Sequence, residues 1–334
     1  MNWTGVLPAM TTAFAPDFTV DHPAVARHAQ WLIENGCTGI VCLGSLGEAS
    51  TLSLEEKTEI LKTVVAALDG KAPVVAAISA LSTAEAVETA RAAHSAGCSG
   101  LMILPPYVYK GDWRENKAHV AAILQATPLP GMLYNNPVAY GVDFLPEQIA
   151  ELAQQFPNLE AVKESSTDVR RVTAIRALLG DRLAVLVGVD DAIVEGIAAG
   201  AVGWVAGLVN ALPRESVDLF RLASEGRTEQ AFELYRWFLP LLRMDTIPKF
   251  IQYIKQVEQE AGIGSARVRA PRMEPVGDEL AEIRAAFQLA KTHRPAVAVA
   301  STSFSLSLEP GEPKALASGN ALSDATFQRH HTRF

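Results

Sequence analysis

The stretch GMLYNNPVAYGVDFLPEQIAELAQQFPNLEAVKESS, residues 131–166, contains two apolar runs separated by one helical pattern. The runs GMLYNN and LEAVKES are short and almost continuously apolar, as expected of strands that are buried on both faces. Apolar residues between them recur at three- and four-residue spacing, which indicates an amphipathic helix. Strands joined by a helix run parallel through a right-handed crossover. The stretch therefore predicts a strand–helix–strand unit of a parallel sheet.

The same alternation of strands and helices extends through about residue 225. Eight successive units match a (β/α)₈ TIM barrel, so we assign residues 1–225 to an α/β catalytic barrel of this class. A doubly wound open sheet is the alternative, but no G-x-G-x-x-G motif follows the first strand, which weakens it. The predicted strands are GVLPAM, GIVCLG, PVVAAIS, GLMILPP, GMLYNN, LEAVKES, LAVLVGV and GWVAGLV.

After the barrel the pattern changes to helices without strands between them. Residues 226–293 contain TEQAFELYRWFLPLLRMD, IPKFIQYIKQVEQEAG and DELAEIRAAFQLAKTH, which predict a C-terminal helical domain. Residues 294–334 are rich in Ser, Ala, Pro and Gly without a sustained period, so we interpret them as a low-complexity, disordered or weakly ordered tail. Two adjacent histidines in this tail, His330 and His331, are more often inert than metal-binding.

The composition and net charge of the chain indicate which kinds of molecule it binds. The chain has 334 residues, of which 49% are hydrophobic and 20% charged, and its formal net charge is −8. This balance argues against nucleic acid or an anionic membrane as partner, whereas a small anionic substrate needs only local positive charge. Three cysteines without C-x-x-C spacing indicate a reducing compartment. With no secretory signal and no run of roughly 20 apolar residues, we expect a cytoplasmic protein without membrane spans.

The predicted strand ends carry the candidate chemistry, because catalytic side chains of such barrels project from the C-terminal ends of the strands. These ends contain a lysine within a strand, Lys163, a tyrosine, Tyr134, and small hydroxyls such as Ser45. They lack histidine and clustered carboxylates, which disfavours a Ser–His–Asp triad and a metal site. A desolvated amine can attack a carbonyl or imine carbon, while a phenol moves protons at the adjacent carbon. The set therefore predicts imine chemistry.

Each of these features also has a purely structural interpretation. Lys163 could pair with Glu164 or another carboxylate at the strand end, but alternate residues face opposite sides of a strand, so the pair with Glu164 is geometrically poor. Tyr134 is compatible with an ordinary buried tyrosine. The segment GSLGE, residues 44–48, is compatible with a plain turn and helix cap. It is equally compatible with a loop whose backbone N–H groups bind a substrate carboxylate.

Five motifs occur together, in a fixed order: GSLGE at 44–48, YNNP at 134–137, VKESS at 162–166, GVDD at 188–191 and AGLVN at 206–210. Their combination resembles the dihydrodipicolinate synthase/N-acetylneuraminate lyase family over about residues 3–290. The resemblance implies a barrel with a helical C-terminal extension, usually a homotetramer, without a metal or an organic cofactor. It also implies that Lys163 is the Schiff-base lysine, that Tyr134 shuttles protons and that the Ser45 hydroxyl hydrogen-bonds the tyrosine.

The resemblance further implies a set of substrate-binding positions, and it shows where this chain departs from one branch. Dihydrodipicolinate synthases have a second threonine at the position of Leu46 and a carboxylate-binding arginine at that of Ala139. Their subunit-bridging tyrosine falls at Val108, which leaves Tyr107 or Tyr109 to replace it. These differences argue against the lysine-pathway synthase. The implied substrate-binding residues are Gly44, Leu46, Asn136, Gly188, Gly207 and Tyr109.

Three segments resemble the 1-pyrroline-4-hydroxy-2-carboxylate deaminases of hydroxyproline catabolism: YNNP, GVDDAIVEGIAAGAVGWVAGLVNALPRE and LYRWFLPLLRMD. In such an enzyme Lys163 attacks C2 of the cyclic imine, Tyr134 removes a proton from C3, and the C4 hydroxyl leaves as water. Ammonia and 2-oxoglutarate semialdehyde result. The alternative is a pyruvate-dependent 2-keto-acid aldolase or lyase, or a dihydrodipicolinate synthase-like enzyme. A keto-acid sensor without turnover is a third interpretation, which the lysine, tyrosine and hydroxyl set disfavours.

Overall fold

The computed structural model describes residues 1–295, and within them it contains eight β-strands at the eight predicted positions. The tail predicted from residue 294 onward, with His330 and His331, lies outside the described residues except for its first two positions. The strands are β1 (Gly5–Pro8), β2 (Ile40–Cys42), β3 (Val74–Ile78), β4 (Gly100–Ile103), β5 (Gly131–Asn135), β6 (Leu159–Glu164), β7 (Ala184–Val187) and β8 (Gly203–Ala206).

The strands form one parallel sheet that curls into a barrel. Each strand from β2 to β7 pairs with the next strand in chain order, and β8 pairs with β1. The sheet closes between β1 and β2, where Met10 N donates to Val41 O at 2.8 Å and Thr38 N donates to Val6 O at 2.9 Å. The (β/α)₈ barrel is therefore confirmed, and the doubly wound alternative is wrong because this strand order has no reversal.

Helices follow the strands on the outside of the barrel, and three more form the predicted C-terminal extension. Several begin at side-chain caps, such as Ser53, whose hydroxyl accepts from Glu56 N at 3.1 Å. The helices are α1 (His22–Glu34), α2 (Leu54–Leu68), α3 (Thr83–Ser95), α4 (Trp113–Ala126), α5 (Pro137–Tyr140), α6 (Pro146–Gln155), α7 (Arg170–Leu179), α8 (Ile193–Ala198), α9 (Pro213–Ser224), α10 (Thr228–Leu242), α11 (Phe250–Glu260) and α12 (Gly277–Thr292).

One face of every strand points into the barrel and fills it with apolar side chains. Because side chains alternate along a strand, residues two apart share a face. Lys163 follows the inward-facing Ala161 by two positions and therefore also faces the lumen, at the C-terminal end of β6. The buried side chains of this inner cluster include Leu7, Val41, Val75, Ala77, Met102, Met132, Tyr134, Ala161, Leu186 and Val205.

The C-terminal extension contacts the barrel next to the GSLGE segment. Leu46 of that segment packs with Ile251 and Ile254 of α11 and with Val268 in a small apolar cluster. Apolar packing of this kind fixes the position of the segment relative to α11. Within residues 1–295 no helix is long and apolar enough to cross a membrane.

Candidate active site

Lys163 and Tyr134 lie side by side in the barrel lumen. They are register partners on the adjacent strands β6 and β5, and Lys163 Nζ lies 4.3 Å from the centroid of the Tyr134 ring. Only 6% of each residue is exposed. An ammonium above a phenol ring is attracted by the ring's quadrupole, and the attraction is stronger away from water. The fold therefore holds a primary amine against a phenol at the end of the barrel where these folds carry their chemistry.

Glu164, the neighbour of Lys163 in sequence, is directed to the opposite face of β6. Its carboxylate accepts from Asn135 Nδ2 at 3.0 Å and from Ser166 N at 2.6 Å. Burial raises the pKa of Glu164, and these hydrogen bonds lower it. The structural alternative in which Glu164 neutralises Lys163 is therefore wrong, because the alternation of the strand separates the two side chains.

A buried carboxylate, Asp190, follows β7 and organises the loop after β8. It accepts from Trp204 Nε1 at 3.0 Å, from Gly207 N at 3.0 Å and from Leu208 N at 2.7 Å. Burial raises the pKa of Asp190 to about 6, while these donors and the Lys163 ammonium act to lower it. The three N–H donors stabilise the ionised carboxylate, whose negative charge partly balances that of Lys163.

Replacing Asp190 with asparagine is expected to destabilise the protein by about 3 kcal/mol, because the amide turns an acceptor oxygen into a donor facing N–H groups. Urea denaturation measures the loss. The matched control is Asp191→Asn at the neighbouring residue, whose carboxylate lies 3.6 Å from Arg243 at the partly exposed surface. This control is expected to cost less than about 1 kcal/mol. Equal midpoints for the two variants would contradict the role of Asp190 in holding the loop.

A second carboxyl, Asp245, reaches this end of the barrel from the C-terminal extension. It lies in the short 3₁₀ helix Arg243–Thr246, and its Oδ1 lies so close to Gly207 that a Cβ there would overlap it. Burial and the charge of Asp190 raise the pKa of Asp245 well above its usual range, and the Lys163 ammonium lowers it. Sequence reasoning missed Asp245. Its only signal is that it ends the segment LYRWFLPLLRMD.

Two of the three predicted glycines, Gly188 and Gly207, make room for other side chains. A Cβ at Gly188 would overlap Ser165 Oγ and would crowd the stem of Lys163, just as a Cβ at Gly207 would overlap Asp245. Ser165 is 1% exposed, and its hydroxyl has no hydrogen-bond partner within the described part of the chain. Space for Lys163 and Asp245 is therefore sufficient to explain both glycines. Their contacts with a substrate stay predictions.

The hydroxyl groups near Tyr134 are connected differently from the prediction. Asn136 Nδ2 donates to the Tyr134 hydroxyl at 3.0 Å. Ser45 was expected to hydrogen-bond this tyrosine, but its Oγ bonds instead with the hydroxyl of Tyr140. The reason is that α5 turns back over the end of β5 and brings Tyr140 to Ser45. Sequence reasoning missed Tyr140, although it lies only six residues after Tyr134 in a predicted active-site loop.

Three other predicted site residues lie outside this group of contacts. Leu46 is buried against α11, as described above. Tyr109 is about half exposed, and its hydroxyl donates to Glu115 Oε1 at 3.0 Å. Gly44 lies at the end of β2, where a Cβ would meet only the Met102 methyl, at 3.7 Å. Contacts of these residues with a substrate stay predictions.

The groups at the mouth of the barrel have the parts needed for imine formation. A buried primary amine provides the nucleophile, and the phenol beside it can exchange protons with a carbon next to the imine. The carboxyls of Asp190 and Asp245 both interact with the charge of Lys163. Among residues 1–295, no group of three or more His, Cys, Asp or Glu side chains is placed to hold a metal ion.

Comparison with known proteins extends over nearly the whole described chain. Residues 2–290 match the model of the Dihydrodipicolinate synthetase family. The 4-hydroxy-tetrahydrodipicolinate synthase of Methanothrix thermoacetophila is 32% identical over 276 residues, which cover 82% of this chain and 92% of the relative. This relative is named a synthase, so the deaminase branch predicted from the sequence stays a prediction.

Solved structures agree with this relationship. The 4-hydroxy-tetrahydrodipicolinate synthase of Methylacidiphilum fumariolicum SolV superposes with a TM-score of 0.84 at 28% identity, covering 87% of this chain and 96% of the other. The dihydrodipicolinate synthase of Acinetobacter baumannii, solved with pyruvate, gives 0.82 at 29% identity, with coverages of 87% and 99%. The family resemblance read from the five motifs is thereby confirmed, and this chain belongs to the dihydrodipicolinate synthetase family.

Proposed function

We propose that this enzyme is a Schiff-base lyase that converts 1-pyrroline-4-hydroxy-2-carboxylate to 2-oxoglutarate semialdehyde and ammonia. The observation that carries the proposal is the buried amine of Lys163, which lies 4.3 Å from the centroid of the Tyr134 ring. An amine enclosed in this way can join covalently to C2 of the substrate, and the phenol can act at the neighbouring carbon. The substrate is small, as the packed interior of the barrel requires.

The first step joins Lys163 to the substrate. The neutral amine adds to C2 of the cyclic imine, and the electrons of the C2=N bond move to the ring nitrogen, which takes up a proton. The bond from C2 to the ring nitrogen then breaks and opens the ring. This exchange leaves an imine between Lys163 and C2 and a free amino group on C5. The substrate thus brings its own carbonyl equivalent, and no second reactant is needed to start the reaction.

Tyr134 acts in the second step, at C3. Its oxygen takes a C3 proton, and the electrons of that bond form an enamine, which then expels the C4 hydroxyl with a proton as water. Tautomerisation moves the double bond toward C5, and water hydrolyses the imines at C5 and C2. One water leaves and two are consumed, so the net reaction uses one water and releases one ammonia. Lys163 is regenerated.

The departures at Leu46 and Ala139 support the deaminase over the synthase. By the resemblance, synthases use a threonine and an arginine at these positions, and the arginine binds the carboxylate of a second substrate. Here Leu46 is buried in an apolar cluster with α11, and Ala139 is an uncharged residue of α5. A substrate that brings both reacting parts in one molecule needs no second carboxylate clamp. The two substitutions are then compatible with full activity.

A pyruvate-dependent synthase or aldolase is the second candidate. It is favoured by the name of the Methanothrix thermoacetophila relative and by the similarity to the Acinetobacter baumannii enzyme solved with pyruvate. In this reaction Lys163 forms an imine with pyruvate, and the resulting enamine carbon attacks an aldehyde. For either candidate, the homotetramer implied by the resemblance stays a prediction.

The deciding experiment supplies both kinds of substrate to the same preparation. We expect the wild type to consume 1-pyrroline-4-hydroxy-2-carboxylate, generated in situ, at an ordinary enzymatic kcat of about 1–10³ s⁻¹. A coupled dehydrogenase that oxidises 2-oxoglutarate semialdehyde measures the product. Pyruvate plus an aldehyde is the competing assay, and Lys163→Ala gives the background for both. Turnover of pyruvate with the aldehyde, and none of the cyclic imine, would replace the deaminase by the second candidate.

A further inference from the structure

The short helix α5 holds Tyr140 next to the hydroxyls of Tyr134 and Ser45, the two predicted catalytic hydroxyls. The helix begins at Asn136, whose Oδ1 accepts from Ala139 N at 2.9 Å and whose Nδ2 donates to the Tyr134 hydroxyl at 3.0 Å. It ends at Gly141, whose φ of 68° suits glycine and terminates the turn. One asparagine therefore both starts the helix that carries Tyr140 and orients Tyr134.

Tyr140 contacts Tyr134, Ser45 and Tyr107. Its ring meets that of Tyr134 edge to face, with centroids 5.6 Å apart, and its hydroxyl bonds with Ser45 Oγ. Ser45 is half-buried and follows the C-terminal end of β2. The ring of Tyr107 packs on Tyr140 at 5.7 Å between centroids. The hydroxyl of Tyr140 therefore interacts with those of both Tyr134 and Ser45.

Resting on the function proposed above, we propose that Tyr140 completes a proton relay from Tyr134 through Ser45 to solvent, and that it does so within a single chain. The substrate does not contact Tyr140, which acts through Tyr134. The position expected for a tyrosine from another subunit is taken by Val108, which has no hydroxyl, and the hydroxyl of Tyr109 is used by Glu115. Tyr140 therefore supplies the relay hydroxyl from the same chain as Lys163.

The electrostatics of Tyr140 suit a relay rather than a base. Burial raises the pKa of the Tyr140 phenol well above its usual range, the adjacent Tyr134 raises it further, and the hydrogen bond with Ser45 lowers it. At neutral pH the phenol therefore keeps its proton and gives one up only as it receives another. A group that behaved as a base here would need a pKa nearer the working pH.

Proton transfer along this path balances without another reactant. When the Tyr134 oxygen requires a proton, the O–H bond of Tyr140 breaks as that of Tyr134 forms. Tyr140 in turn takes the proton of Ser45, and Ser45 takes one from water at the mouth. One proton has entered the site, and each hydroxyl is again intact. The reverse order carries a proton from C3 of the substrate to solvent.

The test is Tyr140→Phe, which keeps the ring packing and removes only the hydroxyl. We expect kcat to fall by roughly 100-fold, the lower end of what general acid–base catalysis contributes, with KM nearly unchanged. The extent of the Lys163 adduct trapped by borohydride with pyruvate should stay as in the wild type. Exchange of the pyruvate methyl protons for deuterium, followed by NMR, should slow by a similar factor.

The matched control is Tyr253→Phe, which removes the hydroxyl of a buried tyrosine in α11 and is expected to change the exchange rate by less than about threefold. Tyr107→Phe is the competing variant, because Tyr107 packs on Tyr140 and is the other tyrosine that the sequence offers for the relay. Exchange in Tyr140→Phe within that same range, or a loss seen only in Tyr107→Phe, would overturn the relay. A double variant, Tyr134→Phe with Tyr140→Phe, should be no slower than Tyr134→Phe alone, because groups that act as one unit do not add. A further multiplicative loss would show that Tyr140 acts separately.

Failure of the relay is distinguishable from failure of the proposed function. The variant ratios are measured with whichever substrate the wild type turns over, so a pyruvate-dependent enzyme still tests Tyr140. A wild type that forms no borohydride-stable adduct and turns over neither substrate refutes the imine chemistry, and the relay with it.

A separate experiment tests whether Tyr140 acts with Lys163 of its own chain, and it uses subunits that carry different affinity tags. Lys163→Ala and Tyr140→Phe subunits are co-expressed, and mixed oligomers are isolated through both tags in sequence. If Tyr140 serves its own Lys163, mixed oligomers have no more activity than expected from the Tyr140→Phe subunits alone. Recovery of activity toward the wild-type level would show that the hydroxyl comes from the partner. An active wild-type monomer would establish the single-chain relay directly.

Discussion

Replacing Lys163 with alanine is expected to lower kcat by a factor on the order of 10⁶, because the variant lacks the atom to which the substrate is joined. That factor corresponds to about 8 kcal/mol of transition-state stabilisation. Without the imine, no electron sink forms next to C3, so Tyr134 has no acidic proton to remove. The coupled assay for the semialdehyde measures the loss, and borohydride trapping followed by peptide mass spectrometry measures adduct formation at residue 163.

The matched control for this variant is another buried lysine outside the lumen. Lys57 in α2 is 7% exposed, compared with 6% for Lys163, and its Nζ lies 4.0 Å from Glu85. Lys57→Ala is expected to keep the adduct on Lys163 and most of the activity, since burial alone does not make a lysine reactive. A stable adduct on a different lysine in the Lys163→Ala variant would contradict the assignment of the nucleophile.

Replacing Lys255 with methionine is expected to destabilise the protein by about 3 kcal/mol, because the buried carboxylate of Glu48 loses its nearest cation. Glu48 then keeps only the more distant guanidinium of Arg272, at 3.7 Å, and the backbone N–H of Arg269. Lys255 Nζ lies 2.8 Å from Glu48 Oε1 and donates to Thr12 O at 2.9 Å, and both charged residues are almost fully buried. Burial lowers the pKa of Lys255, and Glu48 raises it. The midpoint of urea denaturation, with the free energy of unfolding extrapolated to water, measures the effect.

An exposed ion pair of the same length provides the control. Lys62 and Glu59 are also 2.8 Å apart, but more than half of each side chain is exposed. Lys62→Met is therefore expected to cost about 0.5 kcal/mol. In the double variant Lys255→Met with Glu48→Gln, part of the loss should return, because the buried side chain that lost its nearest cation is then neutral. A loss in Lys255→Met as small as in Lys62→Met would contradict the role of Lys255 in stabilising the buried carboxylate of Glu48.

The barrel itself was predictable because its signals are local. Each strand is a short apolar run, and each helix has its own three- and four-residue period, so neither depends on distant residues. The rule that parallel strands need a right-handed helical crossover then leaves few arrangements for eight such units. The open sheet remained an alternative in the sequence because closure depends on contacts between β1 and β2, such as Met10 with Val41.

The pair Lys163 and Tyr134 was also predictable, for a related reason. Both residues end neighbouring strands, so parallel pairing in register brings them together, and strand alternation puts Glu164 on the other face. Tyr140 was missed although it is close in sequence to Tyr134. The turn of α5 sets where its ring goes, and loop conformation is not fixed by a repeating pattern.

The contacts between the barrel and the C-terminal extension could not be predicted from the sequence patterns. Glu48 was interpreted as part of a turn or helix cap, yet its carboxylate pairs with Lys255, more than two hundred positions along the chain. Asp245 approaches Gly207 in the same way, from a separate helical segment. Such pairs depend on how whole elements pack, and charged residues become buried only where the packing supplies a partner.

By itself the sequence determined the class of fold, the order of its strands, and the meeting of Lys163 with Tyr134 in the lumen, because local periodicity and strand register are enough for these. Only the tertiary structure decided the surroundings of that pair. In the folded protein Ser45 hydrogen-bonds with Tyr140, Asp245 lies next to Gly207 at the mouth of the barrel, and Glu48 forms an ion pair with Lys255. These contacts join segments whose separation along the chain carries no periodic signal, and packing alone sets the distance between them.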